Sequence, residues 1–326
     1  MNDENIFKSE NFTLDEFKFE NGQIFKNVNV EYTTYGTPKK DSEGKIVNAV
    51  IYCHGSDGNF NSLKKICPIS KLNQALDYNE YFFISFSNLG TPGSFSPSTS
   101  NLNVNFPKYT IKDMVNFQRE FLKSKFGIDS ILGVIGNSLG GFLAFTWATE
   151  YPESVEFVIS LVSSYRTAGA GYISSKVVQK IIESDPNYLS GDSKLLERSL
   201  KLAMLSEFTC GFSREFYLNQ SKEELNESLE EYGDYVVLDD VYDIKFRNDA
   251  TLDYDVTTEL YKISAKVLII AINQDRYFPP KTDAIPMSKL IKNSQLVIYD
   301  SELGHVGAKE IEKVEPKIRA FLKEFI

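Results

Sequence analysis

The chain has 326 residues, of which 42% are hydrophobic and 25% are charged, and its formal net charge is −10. This composition is ordinary for a folded globular protein and excludes a disordered one, and the length fits one large domain or a core domain with an insertion. The excess of acidic residues argues against nucleic acid or an anionic membrane as a partner, because either would require a basic face.

The cysteines and the N-terminal stretch indicate the compartment. Cys53, Cys67 and Cys210 are odd in number and lack the spacing of metal ligands, as is typical of a reducing environment. The stretch MNDENIFKSENFTLDEF is charged and has no apolar signal sequence, and no run approaches the ~18 apolar residues of a membrane span. We therefore expect a soluble cytoplasmic protein.

Short apolar runs alternate with helical patterns along the chain. Residues 28–36 alternate as in a half-buried strand. Later β-rich runs predict buried strands over residues 48–55, 80–88, 130–136, 155–164, 265–273 and 294–300. Helical spacing predicts helices over residues 110–127 and 139–150, and a Lys- and Glu-rich helix closes the chain. This alternation predicts an α/β fold with a mostly parallel, doubly wound sheet.

Residues 166–262 interrupt that alternation, since they have helical propensity and contain no convincing strand. They could form a separate helical domain, or a lid inserted between two sheet strands over the edge where open α/β sheets bind ligands. The strands that return after residue 262 favour the insertion. We therefore predict an α/β core of residues 1–165 and 263–326, with a helical lid of residues 166–262.

The stretch VIGNSLGGFLAFTWA contains the motif Gly136-Asn137-Ser138-Leu139-Gly140, which fits G-x-S-x-G. Glycine and serine are common in turns, so the five residues alone are equally compatible with an ordinary turn. Here an apolar strand precedes the motif and an apolar helix follows it, which is the context of a nucleophile elbow. The sequence therefore favours Ser138 as a nucleophile.

A nucleophilic serine needs a base, and the chain has only two histidines. His54 directly follows a predicted strand and precedes the small-residue stretch GSDGN, a position suited to a loop whose Gly55 or Ser56 N–H joins that of Leu139 in an oxyanion hole. His54 itself is equally explained as a residue that stabilises a turn. His305 lies after the last predicted strand and is the better candidate for the base.

The acid of such a triad is expected between the serine and the histidine in the chain. Asp275, in IAINQDRYFPP, follows a strand and precedes a helix that we expect to begin at the prolines. Asp300 and Glu302 are rivals, but Asp275 lies one strand before His305 at the same edge of the sheet. The sequence therefore predicts the triad Ser138, Asp275 and His305.

Several longer stretches resemble the homoserine O-acetyltransferase-like branch of the α/β-hydrolase superfamily. They include FENGQIFKNVNVEYTTYG, NLGTPGSFSPS, NSLGGFLAFTWATEYPESV, SDPNYLSG, DRYFPP and YDSELGH. The resemblance implies an α/β-hydrolase fold, an acyl-serine intermediate on Ser138, and an oxyanion hole formed by the amides of Ser56 and Leu139. It also implies a homodimer, and a role for Arg166 in binding a substrate carboxylate.

The chain departs from that branch at one position next to the histidine. The family has an Asp there that holds the substrate ammonium, whereas this chain has Val306. An aliphatic side chain cannot pair with an ammonium, and an unpaired charge in a dry site costs several kcal/mol. The resemblance therefore carries over the chemistry but not the amino-acid substrate.

Three functions follow as hypotheses. The first is a serine hydrolase that acts on a small ester, thioester or amide. The second is an O-acyltransferase that uses an acyl-CoA as a substrate and homoserine or another alcohol as the acceptor. The third is a non-catalytic ligand receptor on the same fold. No phosphate loop, dinucleotide fingerprint or metal-ligand spacing occurs, so no cofactor or metal is expected, and the expected partner is a small acyl substrate.

Overall fold

The backbone of residues 7–325 is described by a computed structural model, in which eight strands form one sheet. The first six residues of the stretch predicted to lack a signal sequence lie outside this range. The strands are β1 (Glu10–Lys18), β2 (Ile24–Tyr35), β3 (Ala49–Cys53), β4 (Phe82–Phe86), β5 (Ile131–Asn137), β6 (Val155–Leu161), β7 (Lys266–Ile272) and β8 (Ser294–Tyr299). Their order is β1-β2-β4-β3-β5-β6-β7-β8; β1 and β2 pair antiparallel, as do β2 and β4, and the other pairs are parallel.

Helices connect the parallel strands and also form a long segment between β6 and β7. They are α1 (Ile111–Phe126), α2 (Leu139–Glu150), α3 (Gly169–Glu183), α4 (Glu197–Gly211), α5 (Arg214–Leu218), α6 (Lys222–Val236), α7 (Val241–Leu252), α8 (Ala284–Leu290) and α9 (Glu315–Leu322). Short 3₁₀ helices cover Phe60–Ile69, Asn103–Asn105, Pro152–Ser154, Tyr188–Ser190, Ser193–Leu196, Leu260–Lys262 and Gly304–Val314. Among the described residues, no helix is both long and apolar enough to cross a membrane.

Two hydrophobic layers cover the sheet because successive strand residues point to opposite faces. In β3, Ile51 belongs to the layer that contains α1 and α2, whereas Val50 and Tyr52 belong to the layer that contains α9. Every residue of β3 is buried, as expected for a parallel strand with helices on both sides. The sheet is therefore the rigid core, and its carboxyl edge is where the connecting loops gather.

The helix before the elbow shows why these sequence signals identify helices. The Thr110 side chain accepts a hydrogen bond from the Asp113 N–H, and the Asp113 side chain bonds back to Thr110, which forms a capping box. Gly127 ends the helix with φ +66°. The structure places α1 inside the predicted range 110–127, and α2 covers residues 139–150 as predicted.

Two local predictions need correction, and one strand was not predicted. No residue pattern singled out β1, whose hydrogen bonds to β2 form an N-terminal hairpin. The helix expected to begin at Pro279 and Pro280 begins only at Ala284, because the prolines lie in turns before it. The closing helix is a 3₁₀ helix followed by the short α9.

The segment between β6 and β7 contains α3 to α7, and these helices lie within residues 166–262. Its two ends meet beside β6, where Arg166 and Asp255 form an isolated backbone bridge. Since β6 and β7 are adjacent parallel strands, the chain leaves the sheet at the carboxyl end of β6 and returns to pair alongside it. The helical segment therefore begins at the same edge of the sheet as the elbow.

Candidate active site

Ser138 occupies the turn between β5 and α2 with an unusual backbone conformation. Its φ is +55° and its ψ is −119°, a region that residues with a side chain rarely adopt and that costs about 1–3 kcal/mol. The Ser138 N–H donates to the Leu161 carbonyl at 3.0 Å. The Ser138 carbonyl accepts from the Gly141 N–H and from the Ser163 hydroxyl, each at 2.8 Å. These bonds hold the strained turn of a nucleophile elbow.

The glycines around Ser138 are required by close backbone contacts. A Cβ on Gly136 would lie 2.0 Å from the Gly140 carbonyl oxygen, and a Cβ on Gly140 would lie 1.9 Å from the Cys53 carbonyl oxygen. Both obstacles are backbone atoms, which cannot rotate away. The G-x-S-x-G spacing thus reflects how closely β5, α2 and the end of β3 approach one another.

The loops after β7 and β8 bring a carboxylate and an imidazole to Ser138. His305 Nε2 lies 3.0 Å from Ser138 Oγ, and His305 Nδ1 lies 2.9 Å from Asp275 Oδ2. Since the carboxylate can only accept, the hydrogen of the neutral imidazole belongs on Nδ1. Nε2 is then the acceptor that faces the serine hydroxyl, as a general base requires.

The Asp275 carboxylate is fixed by its own loop. Its side chain is fully shielded from solvent, and its Oδ1 accepts the N–H of Tyr277 at 2.8 Å and of Phe278 at 3.0 Å. The rings of Tyr277 and Phe278 lie 5.0 and 5.6 Å from the imidazole of His305, measured between ring centroids. The carboxylate therefore has one oxygen committed to the backbone and one left for the histidine.

The two rival carboxylates are directed elsewhere. Asp300 is exposed, and its Oδ1 accepts from the side-chain amides of Asn273 at 2.8 Å and Gln274 at 3.1 Å. These hydrogen bonds lower the pKa of Asp300. Glu302 is also exposed and makes no side-chain hydrogen bond to His305 among the described residues. Of the three candidates, Asp275 is the one in contact with the histidine.

Two of the three residues predicted to form an oxyanion hole with their backbone N–H groups adjoin Ser138, Gly55 in space and Leu139 in sequence, and Ser56 follows Gly55. Gly55 is buried next to the elbow, where a Cβ on it would lie 3.5 Å from Ser138 Cβ. Leu139 is the first residue of α2, and neither its N–H nor that of the exposed Ser56 has an acceptor in the described part of the chain. Free N–H groups at a helix start carry partial positive charge, which favours a developing oxyanion.

Comparison with known families identifies the fold. A family model described as the alpha/beta hydrolase fold matches residues 48–306. The chain belongs to the alpha/beta hydrolase fold family. The predicted fold class is therefore confirmed, and both the elbow and His305 fall inside the matched range.

Relatives and solved structures extend the likeness over nearly the whole chain. The chain is 45% identical over 311 residues to a probable acyltransferase of Methanothermobacter thermautotrophicus, covering 95% of this chain and 96% of the relative. It is 28% identical to a homoserine O-acetyltransferase of Nostoc punctiforme, covering 89% and 88%. An acetylester hydrolase from Corynebacterium glutamicum has a TM-score of 0.85 at 22% identity, covering 96% and 95%. The resemblance to homoserine O-acetyltransferases is confirmed.

His54 has a structural position in this alpha/beta hydrolase. Its side chain is fully buried, its Nδ1 lies 2.7 Å from the Gly55 carbonyl, and its Nε2 accepts the Asn88 N–H at 3.1 Å. Both ring nitrogens are satisfied only when Nδ1 carries the hydrogen and the ring is neutral. Burial lowers the pKa of His54 to about 3, consistent with a neutral ring. His54 thus joins the loop after β3 to the loop after β4.

The resemblance links Arg166 and Val306 to substrate binding. Among residues 7–325, neither makes a side-chain hydrogen bond to Ser138, Asp275 or His305. Arg166 is exposed, and its guanidinium lies over the ring of Tyr165 at 5.2 Å. Val306 is half-buried and follows His305 directly at the start of a 3₁₀ helix. Val306 therefore adjoins His305 through the backbone, whereas Arg166 is exposed to solvent after the end of β6.

The helical segment between β6 and β7 contacts the loops that carry Asp275 and His305. The Tyr277 hydroxyl donates to the Glu207 carbonyl of α4 at 2.9 Å. A Cβ on Gly304, next to His305, would lie 2.5 Å from the backbone nitrogen of Ser213. These contacts place α4 and the start of α5 against the loops of Asp275 and His305, so that a movement of the helical segment would shift those two loops.

The helix α7, in the segment between β6 and β7, has buried charged residues that the sequence patterns did not predict. The stretch DIKFRNDATLDYDV forms most of α7. Asp240 caps the helix by accepting the N–H of Tyr242 and Asp243. The signal was present, because Asp before an apolar residue is an N-cap pattern. What no pattern indicated is that Asp243, Lys245 and Arg247 of this helix are buried.

Proposed function

We propose that this alpha/beta hydrolase transfers an acyl group through an ester on Ser138 to an alcohol acceptor. The observation that carries the acyl-serine chemistry is the continuous hydrogen-bonded path from Ser138 Oγ through His305 to Asp275, with distances of 3.0 and 2.9 Å. Serine alone is a weak nucleophile, and this path supplies the base and the group that orients it.

The first half-reaction forms the acyl-serine. Ser138 Oγ attacks the acyl carbon while its proton moves to His305 Nε2, and the Asp275 carboxylate stabilises the resulting imidazolium at Nδ1. The carbonyl electron pair moves to the oxygen, where the N–H groups of Ser56 and Leu139 would stabilise the oxyanion. The tetrahedral intermediate collapses, and the leaving thiol or alcohol takes the proton from His305.

The second half-reaction releases the acyl group. His305 removes the proton of the acceptor hydroxyl, the acceptor oxygen attacks the acyl-serine, and Ser138 leaves with the proton returned from His305. Water or an alcohol can serve as the acceptor with the same catalytic residues. The choice depends on what the pocket binds and how well it excludes water.

Transfer is the first candidate because the 45%-identical relative, aligned over nearly its whole length, is a probable acyltransferase. Hydrolysis of a small ester is the second candidate and was favoured by the sequence alone, on account of Val306. Similarity to an acetylester hydrolase at 22% identity supports the fold and does not separate the two. Where the acyl donor is an acyl-CoA, it is consumed as a substrate and is not a bound cofactor.

Val306 supports an acceptor other than homoserine. An ammonium group placed next to this half-buried aliphatic side chain would lose its water without gaining a partner, at a cost of several kcal/mol. We expect Val306→Asp to increase acetylation of homoserine. Robust homoserine acetylation by the wild-type protein would contradict this interpretation.

Intact-protein mass spectrometry tests the proposal. The protein is mixed with acetyl-CoA or with nitrophenyl acetate, and we expect a mass gain of one acetyl group that is absent in Ser138→Ala. The acetylated protein is then offered water, neutral alcohols, hydroxy acids and homoserine, and the loss of the acetyl group is timed with each. Faster loss to an alcohol than to water supports transfer, and equal rates favour the hydrolase.

A fluorophosphonate probe separates an enzyme from a receptor on the same fold. Labelling of the wild-type protein that disappears in Ser138→Ala supports an activated serine. Absence of labelling in the folded wild-type protein would favour the non-catalytic receptor.

A further inference from the structure

Two adjacent side chains join the loop of the acid to the helical segment by hydrogen bonds. The Tyr277 hydroxyl donates to the Glu207 carbonyl at 2.9 Å, and the Arg276 guanidinium donates to the Thr209 carbonyl at 2.7 Å. Both carbonyls lie near the C-terminal end of α4, and both donors directly follow Asp275 in the chain. The acid and α4 are therefore connected through a very short stretch of loop.

The C-terminal end of α4 depends on donors from outside the helix. The last carbonyls of a helix have no N–H partner within it. In α4 the Thr209 carbonyl accepts from Arg276, and the Phe208 carbonyl accepts from the Tyr217 hydroxyl. A cation at this end is also favoured by the helix dipole, and Tyr277 adds a donor one residue earlier. The acid loop thus supplies part of the cap of α4.

Tyr277 also contacts both of the residues that activate Ser138. Its N–H donates to Asp275 Oδ1 at 2.8 Å, and its ring lies edge-on to the imidazole of His305, with centroids 5.0 Å apart. Edge-to-face contacts of this length are favourable. The N–H holds the acid, the ring packs on the base, and the hydroxyl bonds to α4. The hydroxyl can therefore be removed while the other two contacts remain.

The Tyr277 hydroxyl is a stable donor to a well-anchored acceptor. Burial and the charge of Glu207 raise the pKa of Tyr277, so the hydroxyl keeps its proton at neutral pH. The Glu207 carboxylate in turn accepts the hydroxyl of Ser174 in α3. The acceptor carbonyl thus belongs to a residue that is also bonded to a second helix of the segment.

The same segment lies against the loop of the base. A Cβ on Gly304 would lie 2.5 Å from the backbone nitrogen of Ser213 and 2.7 Å from the carbonyl carbon of Phe212. The connection between α4 and α5 therefore touches the residue that precedes His305. The side chain of His305 is only 16% exposed. The helical segment is thus docked on the loops at both sides of the imidazole.

Two kinds of acceptor compete for the acyl-serine. In each case His305 Nε2 removes a proton from the acceptor oxygen, and that oxygen bonds to the acyl carbon. The bond from the acyl carbon to Ser138 Oγ then breaks, and the proton returns to Oγ. An alcohol gives an ester and water gives a carboxylic acid, so selection between them depends on how well water is excluded.

We propose that the Tyr277 hydroxyl is a positioning group that keeps α4 docked beside His305 and thereby favours an alcohol over water as the acyl acceptor. This inference rests on the proposed function. Without the hydroxyl, α4 has one bond fewer to the acid loop, so the segment opens more often. Water then reaches the acyl-serine more readily, while the bonds within the triad are unchanged.

The test compares Tyr277→Phe with Tyr242→Phe, which removes a 2.7 Å hydrogen bond to the Tyr188 carbonyl inside the helical segment. The acetyl-enzyme is formed with nitrophenyl acetate in the presence of propanol, and propyl acetate and acetate are measured. We expect Tyr277→Phe to lower the ratio of ester to acid about tenfold, as for the loss of one neutral hydrogen bond, because attack by water becomes faster. The nitrophenol burst and its pH profile should be unchanged, and Tyr242→Phe should keep the wild-type ratio.

Arg276→Met is a second variant that tests the same contact. It removes the bond to the Thr209 carbonyl and leaves every contact of Tyr277 in place. We expect the ratio of ester to acid to fall in this variant as well, and to fall further in the double variant with Tyr277→Phe. Unchanged ratios in Tyr277→Phe and Arg276→Met would overturn the proposal. An equal slowing of acylation and of both deacylation routes in Tyr277→Phe would also overturn it, because the hydroxyl would then act on the triad itself.

Hydrogen exchange separates a failure of this inference from a failure of the proposed function. In a Ser138→Ala background, which needs no turnover, Tyr277→Phe should speed amide exchange at the C-terminal end of α4, and Tyr242→Phe should not. Unchanged exchange would overturn the docking role even where no acyl-serine forms. Faster exchange together with faster hydrolysis, in a protein whose wild type makes no ester with any alcohol, would support the docking role and count against acyl transfer alone.

Discussion

Asp275→Asn should inactivate the enzyme by forcing the wrong tautomer on His305. The Tyr277 and Phe278 N–H groups both need an acceptor, which only the amide oxygen of an asparagine can supply. The amide NH₂ would then take the position of Oδ2, 2.9 Å from His305 Nδ1. Two donors cannot face each other, so the imidazole hydrogen moves to Nε2. In that tautomer Nε2 cannot take the proton of Ser138.

The magnitude follows from the cost of the alternative arrangement. To keep the productive tautomer, the amide must turn its NH₂ towards the two backbone N–H groups, which leaves both without an acceptor. Each such loss costs about 1–3 kcal/mol, and the charge that stabilised the imidazolium is lost as well. Since each 1.36 kcal/mol is about a tenfold change in rate, we expect kcat to fall by about 10³- to 10⁴-fold, as triad carboxamides do elsewhere.

Asp300→Asn is the matched control for this prediction. It removes the same charge from the next loop, where the carboxylate bonds to Asn273 and Gln274 and does not face the imidazole. Burst-phase release of nitrophenol reports the acylation rate, and circular dichroism with thermal melting verifies the fold. A loss under tenfold for Asp275→Asn, or an equal loss for Asp300→Asn, would refute the assignment of the acid.

Three further predictions concern stability. Gly140→Ala should destabilise the fold by about 3 kcal/mol or more, because its Cβ would lie 1.9 Å from the Cys53 carbonyl oxygen. Gly171→Ala in α3 is the control: its Cβ would meet nothing within 4 Å, and it should raise the free energy of unfolding by about 0.5–1 kcal/mol. Urea unfolding measures both changes. The pKa of His54 is about 3 in the folded protein and 6.5 in the unfolded chain, so between pH 6.5 and pH 3 only the unfolded ring takes a proton. The free energy of unfolding should therefore fall by about 1.4 kcal/mol for each pH unit as the pH decreases over that range. His54→Gln should lose that slope in a pH series of melts, and an unchanged slope would count against the buried neutral ring. Lys245→Met should cost about 1–3 kcal/mol, because Asp249 loses its buried cation while Glu183 stays in contact with water, and an unchanged Tm would contradict the pairing.

The parts of the site that could be predicted from sequence are those that depend on local geometry. The strained turn at Ser138 requires glycines on both sides, and its strand and helix are visible as apolar runs. His305 was found because histidine is rare in this chain, and Asp275 because both lie at the ends of adjacent parallel strands. In each case the strand that directly precedes the residue in the sequence places it at the carboxyl edge of the sheet.

The burial of Arg247 could not be predicted in this way, because its surroundings come from distant parts of the chain. In the sequence, α7 has charged residues at the spacing of a solvated helix face. It is buried only because Ser98 and Phe106, more than a hundred residues earlier, pack against it. Asn88 Nδ2 is a buried donor without an acceptor among the described residues, and it depends likewise on distant residues, since Trp147 and Gln118 fix the orientation of the Asn88 amide through their hydrogen bonds.

A second strained residue lies beside the elbow and leads to a final prediction. Val162 follows β6 with φ +41°, which is uncommon for a β-branched residue, and its N–H donates to the Ile270 carbonyl at 2.9 Å. This turn aims the next side chain, Ser163, at the Ser138 carbonyl.

Ser163→Ala should therefore weaken the support of the elbow more than that of the fold. Loss of the hydrogen bond costs about 1 kcal/mol of stability, and we expect acylation of Ser138 to slow about tenfold because the strained turn is then less restrained. Ser160→Ala is the control, since this buried hydroxyl lies on β6 just before the turn and has no partner among the described residues, so its removal should leave both stability and rate unchanged. Equal acylation rates for the two variants would mean that the strained backbone of Val162 serves packing and not the position of Ser138. A loss of rate in Ser163→Ala alone would mean that the turn after β6 holds Ser138, at the end of β5, in its reactive position.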